Sequence, residues 1–157
     1  MTEKKGFTLI ELLIVMALIG TLTGIAALGL MQWKYNSTIN EYRDLVLADL
    51  EFARSKSITS VPYVIVPGNG SYLLGQLNDT NNNLQKDPGE NYNIIKTELL
   101  PNGLTIQYSN GQQLWFDRKG IPRTSNWALG MGTITIQYQG LNRTITVSSS
   151  GRIQYES

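Results

Sequence analysis

The chain has 157 residues, contains no cysteine and no histidine, and carries 13 basic and 12 acidic side chains. The missing residue types exclude a disulfide framework, thiol and Ser-His-Asp catalysis, and imidazole metal sites. The net charge of +1 is unlike that of a strongly basic nucleic-acid-binding domain. An enzyme would need clustered carboxylates, and none is recognisable outside one loop, so the sequence predicts a protein that is not an enzyme.

A long apolar segment follows a short basic leader at the N-terminus. Between Leu12 and Met31 there are twenty residues without a formal charge, enough for a helix that spans a hydrocarbon core of about 30 Å. Gly20 and Gly24 have the small-xxx-small spacing that lets helices pack closely. An ordinary signal peptide is the alternative interpretation, but its apolar core is usually about 7–15 residues long.

Glu11 is the one carboxylate inside this apolar region. A charge at that depth costs roughly 2.5–3.5 kcal/mol, so we expect it to have a partner. Cleavage between Gly6 and Phe7 would create an α-amino group at Phe7, four residues before Glu11. That ammonium group would neutralise Glu11 in the same chain or in a neighbouring copy. The second arrangement would favour side-by-side assembly of identical helices.

Residues 5–15, KGFTLIELLIV, resemble the processing signature of type IV prepilins and type II secretion pseudopilins. The resemblance implies cleavage after Gly6 by a prepilin peptidase, N-methylation of Phe7, and a role for Glu11 as the assembly carboxylate. It also implies a single-pass protein of the bacterial inner membrane. The C-terminal domain would then lie in the periplasm or at the cell surface, within a pilus or pseudopilus.

The helix is predicted to continue beyond the membrane as an amphipathic segment. Apolar residues recur at spacings of three, four and seven, and form a predicted core-facing stripe of Ile39, Tyr42, Leu45, Val46, Phe52 and Ala53. Pro62 ends the helix, because proline disfavours helical backbone in the residue before it. We therefore expect a leader (1–6), an assembly helix (7–31), an amphipathic helix (32–60) and an antiparallel β domain (61–157). The fold class is α+β, a long N-terminal helix packed on an antiparallel sheet.

Short alternating runs separated by turns predict the strands of the β domain. The expected strands are 63–66, 72–77, 93–100, 104–109, 112–117, 133–139, 143–148 and 152–156. Asn110-Gly111 lies between two of these runs and predicts a hairpin with a type I′ turn. That hairpin would place Ile106 opposite Trp115. The last three strands are expected to form a meander.

Three segments of the β domain are similar to the closing β-region of H-type pseudopilins and their minor-pilin relatives: 114–120 (LWFDRKG), 133–138 (TITIQY) and 144–153 (TITVSSSGRI). The resemblance implies a minor subunit at the tip of a type II secretion pseudopilus or a type IV pilus. Its partners would be other pilins, the prepilin peptidase/methyltransferase and the inner membrane. The alternative function is a pilus-tip adhesin or a DNA-uptake subunit that uses the same anchor.

One loop has the spacing of a calcium-binding loop. Oxygen-bearing groups occupy positions 1, 3, 5, 7, 9 and 12 of an EF-hand-like pattern, namely Asp79, Asn81, Asn83, Gln85, Asp87 and Glu90. Position 6, where the pattern has glycine, is Leu84. Three carboxylates predict weak Ca²⁺ affinity, with a dissociation constant of about 10⁻⁴–10⁻³ M. The alternative is a solvated Asn-rich loop.

Basic residues are frequent in the last forty residues, which gives a second ligand hypothesis. The candidates for nucleic-acid binding are Arg118, Lys119, Arg123, Arg143 and Arg152. Exposed aromatic residues among them could stack on bases. A solvated sheet edge would look similar, so this pattern alone does not select nucleic acid as a partner.

Overall fold

The computed structural model describes residues 8–156. One α-helix, α1, runs from Leu9 to Thr59, which confirms the predicted continuous helix. The chain divides into two compact units, one up to Asn36 and the other from Ser37 onward. The first unit contains the apolar part of α1. The second contains the rest of α1 and all strands of the described residues.

The second half of α1 buries one stripe of side chains. Ile39, Val46, Leu50 and Ala53 are all completely buried, at spacings of seven, four and three that place them on one helical face. Phe52, which was predicted in this stripe, is instead 41% exposed. Leu50 takes the core position, because it lies four residues after Val46 and three before Ala53.

Within residues 8–156, nine strands form two antiparallel sheets. The first sheet has the order β3-β2-β1-β5-β6, with β1 at Tyr63–Val66, β2 at Ser71–Leu77, β3 at Tyr92–Leu99, β5 at Leu114–Phe116 and β6 at Pro122–Arg123. The second has the order β4-β7-β8-β9, with β4 at Leu104–Tyr108, β7 at Gly132–Tyr138, β8 at Leu141–Val147 and β9 at Ile153–Glu156. The α+β class and the closing meander are confirmed.

The predicted hairpin at Asn110-Gly111 is wrong. Ile106 on β4 pairs with Ile136 on β7, whereas Trp115 on β5 pairs with Val64 on β1. The segment between β4 and β5 therefore connects the two sheets. Gly111 has a positive φ of 118°, but Asn110 does not adopt the positive φ that a type I′ turn requires at both central residues.

The physical reason for this difference is that the central strands β1 and β5 of the first sheet are buried on both faces. Tyr63, Ile65, Leu114 and Phe116 pack into the main core with α1 and the second sheet. The alternate residues Val64 and Trp115 belong to a second cluster with Leu77, against which Tyr92 and Trp127 pack. Strand residues alternate between faces, so β5 fills both clusters only when it pairs with β1. Strand β6 lies in a stretch where no strand was predicted, and it pairs with the outer side of β5.

Candidate functional site

The N-terminal half of α1 exposes a continuous apolar surface. Among its described side chains Leu9 is 77% exposed, Ile25 is 71% exposed and Leu22 is 66% exposed. This segment is long and apolar enough to cross a membrane, judged by length and composition. A side chain added at Gly20, Gly24 or Gly29 would meet nothing within 4 Å. The helix therefore offers an apolar surface with open backbone for lipid or for neighbouring helices.

Glu11 is held by the residue that caps the helix. The Thr8 N–H and the Thr8 hydroxyl both donate to Glu11 Oε2 at 2.9 Å, and the Glu11 N–H donates to Thr8 Oγ1 at 3.3 Å. This reciprocal arrangement is a capping box, which satisfies two otherwise unpaired donors at the helix start. Glu11 Oε1 makes no hydrogen bond to any residue that the structure describes. Gly6 and Phe7 lie outside the described residues, so the predicted contact with the Phe7 amino group stays a prediction.

The capping role of Thr8 was not predicted, although the sequence carries a signal for it. Thr8-x-x-Glu11 followed by an apolar run has the Ser/Thr-x-x-Glu spacing of a capping box. The capping-box spacing and the prepilin processing signature therefore share one carboxylate, that of Glu11. Glu11 therefore caps its own helix, and its pairing with a cation of another chain stays a prediction.

The loop from Asp79 to Glu90 is folded by its own side chains. Asp79 Oδ2 accepts a hydrogen bond from the Leu84 N–H at 2.7 Å, and Asn83 Oδ1 accepts one from the Gln85 N–H at 2.8 Å. Leu84 has a φ of 62°, the left-handed backbone that glycine normally supplies at this position of a calcium loop. Leu84 therefore adopts the backbone conformation of the glycine that it replaces, at the cost of backbone strain.

The other carboxylates of the loop are already hydrogen-bonded. Asp87 Oδ2 accepts from the side-chain amides of Asn81 and Asn83 at 2.7 and 2.6 Å. Glu90 accepts from the Asp87 N–H at 3.0 Å and from the Thr80 N–H at 2.9 Å. These backbone donors lower the pKa of Glu90 below its ordinary value.

Two observations bear on Ca²⁺ binding by this loop. Within residues 8–156, no group of three or more Asp or Glu side chains is gathered as a metal site would require. Asp79 Oδ1, however, is buried without a hydrogen-bond partner among the described residues. The predicted ligands therefore do not form a ready-made site, and Ca²⁺ binding stays a prediction.

The five cations predicted to bind nucleic acid do not form one patch. Arg118, Lys119 and Arg123 line a single cavity. Arg143 instead donates to Asn40 Oδ1 on α1 at 2.9 Å. Arg152 follows Gly151, which packs against the Gly120 turn and Arg54.

Helix α1 gives the distance between Arg143, which lies at Asn40, and the cations near the Gly120 turn, which lies at Arg54. Asn40 and Arg54 are separated by about four turns of α1, on the order of 20 Å. A nucleic acid would have to bridge that distance to use all five cations. Nucleic-acid binding stays a prediction for this protein.

An apolar N-terminal helix with a carboxylate near its start, continuing into a helix packed on antiparallel sheets, defines a pilin-like protein. The chain belongs to the family of the type II transport protein GspH, whose pattern matches residues 44–151. Residues 1–27 match the prokaryotic N-terminal methylation motif. These matches confirm the resemblance to type IV pilins and H-type pseudopilins.

A pilin-like relative is similar to this chain over nearly its full length. Pilin-like protein PilA1 of Thermus thermophilus is 30% identical over 165 aligned residues, which cover 98% of this chain and 99% of the relative. No solved structure matches the chain significantly. The family consists of structural subunits, and the methylation motif with the apolar helix is that of a membrane-anchored pilin.

Proposed function

We propose that this protein is a minor subunit at the tip of a type II secretion pseudopilus or a type IV pilus. The observation that supports this proposal best is the exposed apolar helix with Glu11 near its start, in a chain of the GspH family. The helix would hold the subunit in the bacterial inner membrane before assembly. The unit from Ser37 onward would lie in the periplasm or, once assembled, at the cell surface.

The proposed mechanism uses the two oxygens of Glu11 separately. Removal of the leader, residues 1–6, would free the α-amino group of Phe7, which is then methylated. Glu11 Oε2 remains on the Thr8 cap, while Oε1 accepts the ammonium group of a neighbouring subunit. An ion pair in an apolar environment is strong only when both charges are matched, so the pair would fix the axial offset between subunits.

Processing provides the test of this function. In a cell with prepilin peptidase, we expect the mature protein to begin at N-methylated Phe7 and Gly6→Leu to abolish cleavage, because the peptidase must approach the backbone closely. Mass spectrometry of the purified protein measures both. The matched control is Gly20→Ala, where an added methyl group meets nothing within 4 Å, and which should be processed normally. Assembled protein that retains residues 1–6 would contradict the proposal.

Ca²⁺ binding by the Asp79–Glu90 loop is a second proposed function. It is supported by the unpartnered buried oxygen Asp79 Oδ1 and by the glycine-like backbone of Leu84. The ion would replace repulsion among Asp79, Asp87 and Glu90 with shared attraction. Asp87 and Glu90 would first have to exchange their present hydrogen bonds for the ion, which is consistent with the weak affinity predicted from three carboxylates.

We expect about 10 mM Ca²⁺ to stabilise the folded protein by roughly 1.4–2.7 kcal/mol, the value for a ten- to hundredfold excess over the dissociation constant. The melting temperature should rise by several degrees in Ca²⁺ and far less in Mg²⁺. Glu90→Ala should remove most of the difference, whereas Glu51→Ala, at an exposed position of α1, should not. Melting curves followed by circular dichroism measure the effect. If Ca²⁺ leaves the wild-type curve unchanged, the loop is only a solvated turn.

A further inference from the structure

A cavity of about 370 Å³, lined by both polar and apolar side chains, lies between two loops of the unit that begins at Ser37, the C-terminal unit. One wall is formed by Asn83, Leu84 and Gln85 of the Asp79–Glu90 loop, and the other by Arg118, Lys119 and Trp127. Its size falls in the range of about 300–1,000 Å³ found for small-ligand sites. The residues of the second wall belong neither to the N-terminal helix that is proposed to anchor the subunit nor to the predicted Ca²⁺ site.

The second wall is held rigidly by Asp117, which is buried. Asp117 Oδ1 accepts the N–H groups of Lys119 and Ile121 at 2.8 and 3.0 Å, and Oδ2 accepts Arg123 Nε at 3.0 Å. The turn that carries Trp127 is closed by a hydrogen bond from the Trp127 N–H to the Thr124 carbonyl at 2.9 Å. The side chains that face the cavity are therefore presented by a fixed backbone.

Backbone strain is concentrated at this cavity. In the described part of the chain, four residues other than glycine have a positive φ, and two of them, Leu84 at 62° and Trp127 at 60°, line the cavity from opposite walls. Such conformations are costly for side chains of this size, and they persist where the surrounding structure enforces them, often at ligand sites.

The charge and surface of the cavity indicate what it would bind. Arg123 is already paired with Asp117, but Arg118 and Lys119 are exposed and have no ion-pair partner among residues 8–156. The Trp127 ring is half-buried and packs edge-on against Trp115, with 6.3 Å between ring centroids. A positively charged cavity with an aromatic surface and a side-chain amide at Gln85 suits a ligand that is anionic, partly apolar and rich in hydroxyl groups.

We propose that this cavity binds an acidic saccharide, with a uronic acid residue as the recognised unit. The apolar C–H face of the sugar would stack on Trp127, the carboxylate would bind Arg118 and Lys119, and hydroxyl groups would bond to Gln85. A guanidinium forms strong bidentate bonds with a carboxylate. A polynucleotide is the less favoured ligand, because its affinity depends on many phosphate contacts and Arg143 is bonded to Asn40 instead.

The test is calorimetric titration of the full-length protein in a detergent that has no sugar headgroup. Ca²⁺ is left out of the buffer, because the ion would itself bind uronates. The probes are tri-galacturonate, its neutral galactose counterpart, free galacturonate and a short oligothymidylate. We expect binding of tri-galacturonate, weaker binding of free galacturonate, and no binding of the neutral sugar. Trp127→Ala and the double variant Arg118→Gln/Lys119→Gln should each weaken binding at least about tenfold, as expected for loss of a charge-assisted or aromatic contact.

Arg152→Gln is the matched control, because Arg152 is an exposed cation that does not line the cavity. It should leave the affinity for tri-galacturonate unchanged. The double variant changes exposed side chains only, so it tests the site even if Trp127→Ala fails to fold. Absence of tri-galacturonate binding would overturn the proposal. So would an equal loss in Arg152→Gln, or tighter binding of oligothymidylate that depends on the same residues.

Discussion

Glu11→Val is expected to leave the protein in the membrane but to exclude it from the assembled fibre. Removing the carboxylate relieves an insertion cost of roughly 2.5–3.5 kcal/mol, so membrane anchoring should be intact or improved. In the fibre the partner ammonium group would be left unpaired in an apolar environment, which costs about 3–5 kcal/mol. That loss corresponds to at least about a hundredfold in the assembly equilibrium. Immunoblots of sheared-fibre and membrane fractions measure the distribution.

Two further variants separate the capping role of Glu11 from its charge. Glu11→Gln keeps an oxygen that can accept from the Thr8 N–H, so it preserves the cap and removes the charge. Thr8→Ala removes the hydroxyl that donates to Glu11 Oε2 and keeps the charge. We expect Glu11→Gln to assemble as poorly as Glu11→Val and Thr8→Ala to assemble considerably better. Normal incorporation of correctly processed Glu11→Val would exclude a role for this carboxylate in assembly.

Trp115→Ala is expected to destabilise the C-terminal unit by about 3–5 kcal/mol, the usual cost of truncating a fully buried tryptophan. The Trp115 ring is completely buried and lies edge-on to Tyr92 and Trp127 at 6.1 and 6.3 Å. Its Nε1–H donates to Gln113 Oε1 at 3.1 Å. The variant would leave a large cavity beneath the two loops and an unpaired amide oxygen at Gln113.

Denaturant unfolding followed by circular dichroism measures this loss. Trp33→Ala provides the matched control, because Trp33 lies in the N-terminal unit and is 70% exposed. We expect the control to change the unfolding free energy of the C-terminal unit very little. If the two variants unfolded at the same denaturant concentration, the second apolar cluster would not contribute to the stability of the fold.

The sequence determined the features that depend on local chemistry. The N-terminal motif predicted the pilin class, which the family matches confirm. The apolar run and Pro62 predicted one helix that ends near Thr59. The meander of β7, β8 and β9 was predictable because its strands alternate and are joined by short turns. The identities of the loop residues were also predictable, though not how they are arranged.

The tertiary structure decided which strands pair over long sequence distances. Asn110-Gly111 is a strong local hairpin signal, yet β5 pairs with β1, because Ile106 and Trp115 belong to different apolar clusters. Sheet pairing follows burial of side chains on both faces more than the preference of a turn. The cavity depends on the same strand pairing. The pairing of β1 with β5, and of β5 with β6, anchors the segment that carries Arg118 and Trp127 on the sheet that also carries the Asp79–Glu90 loop. No local pattern in the sequence specifies this arrangement.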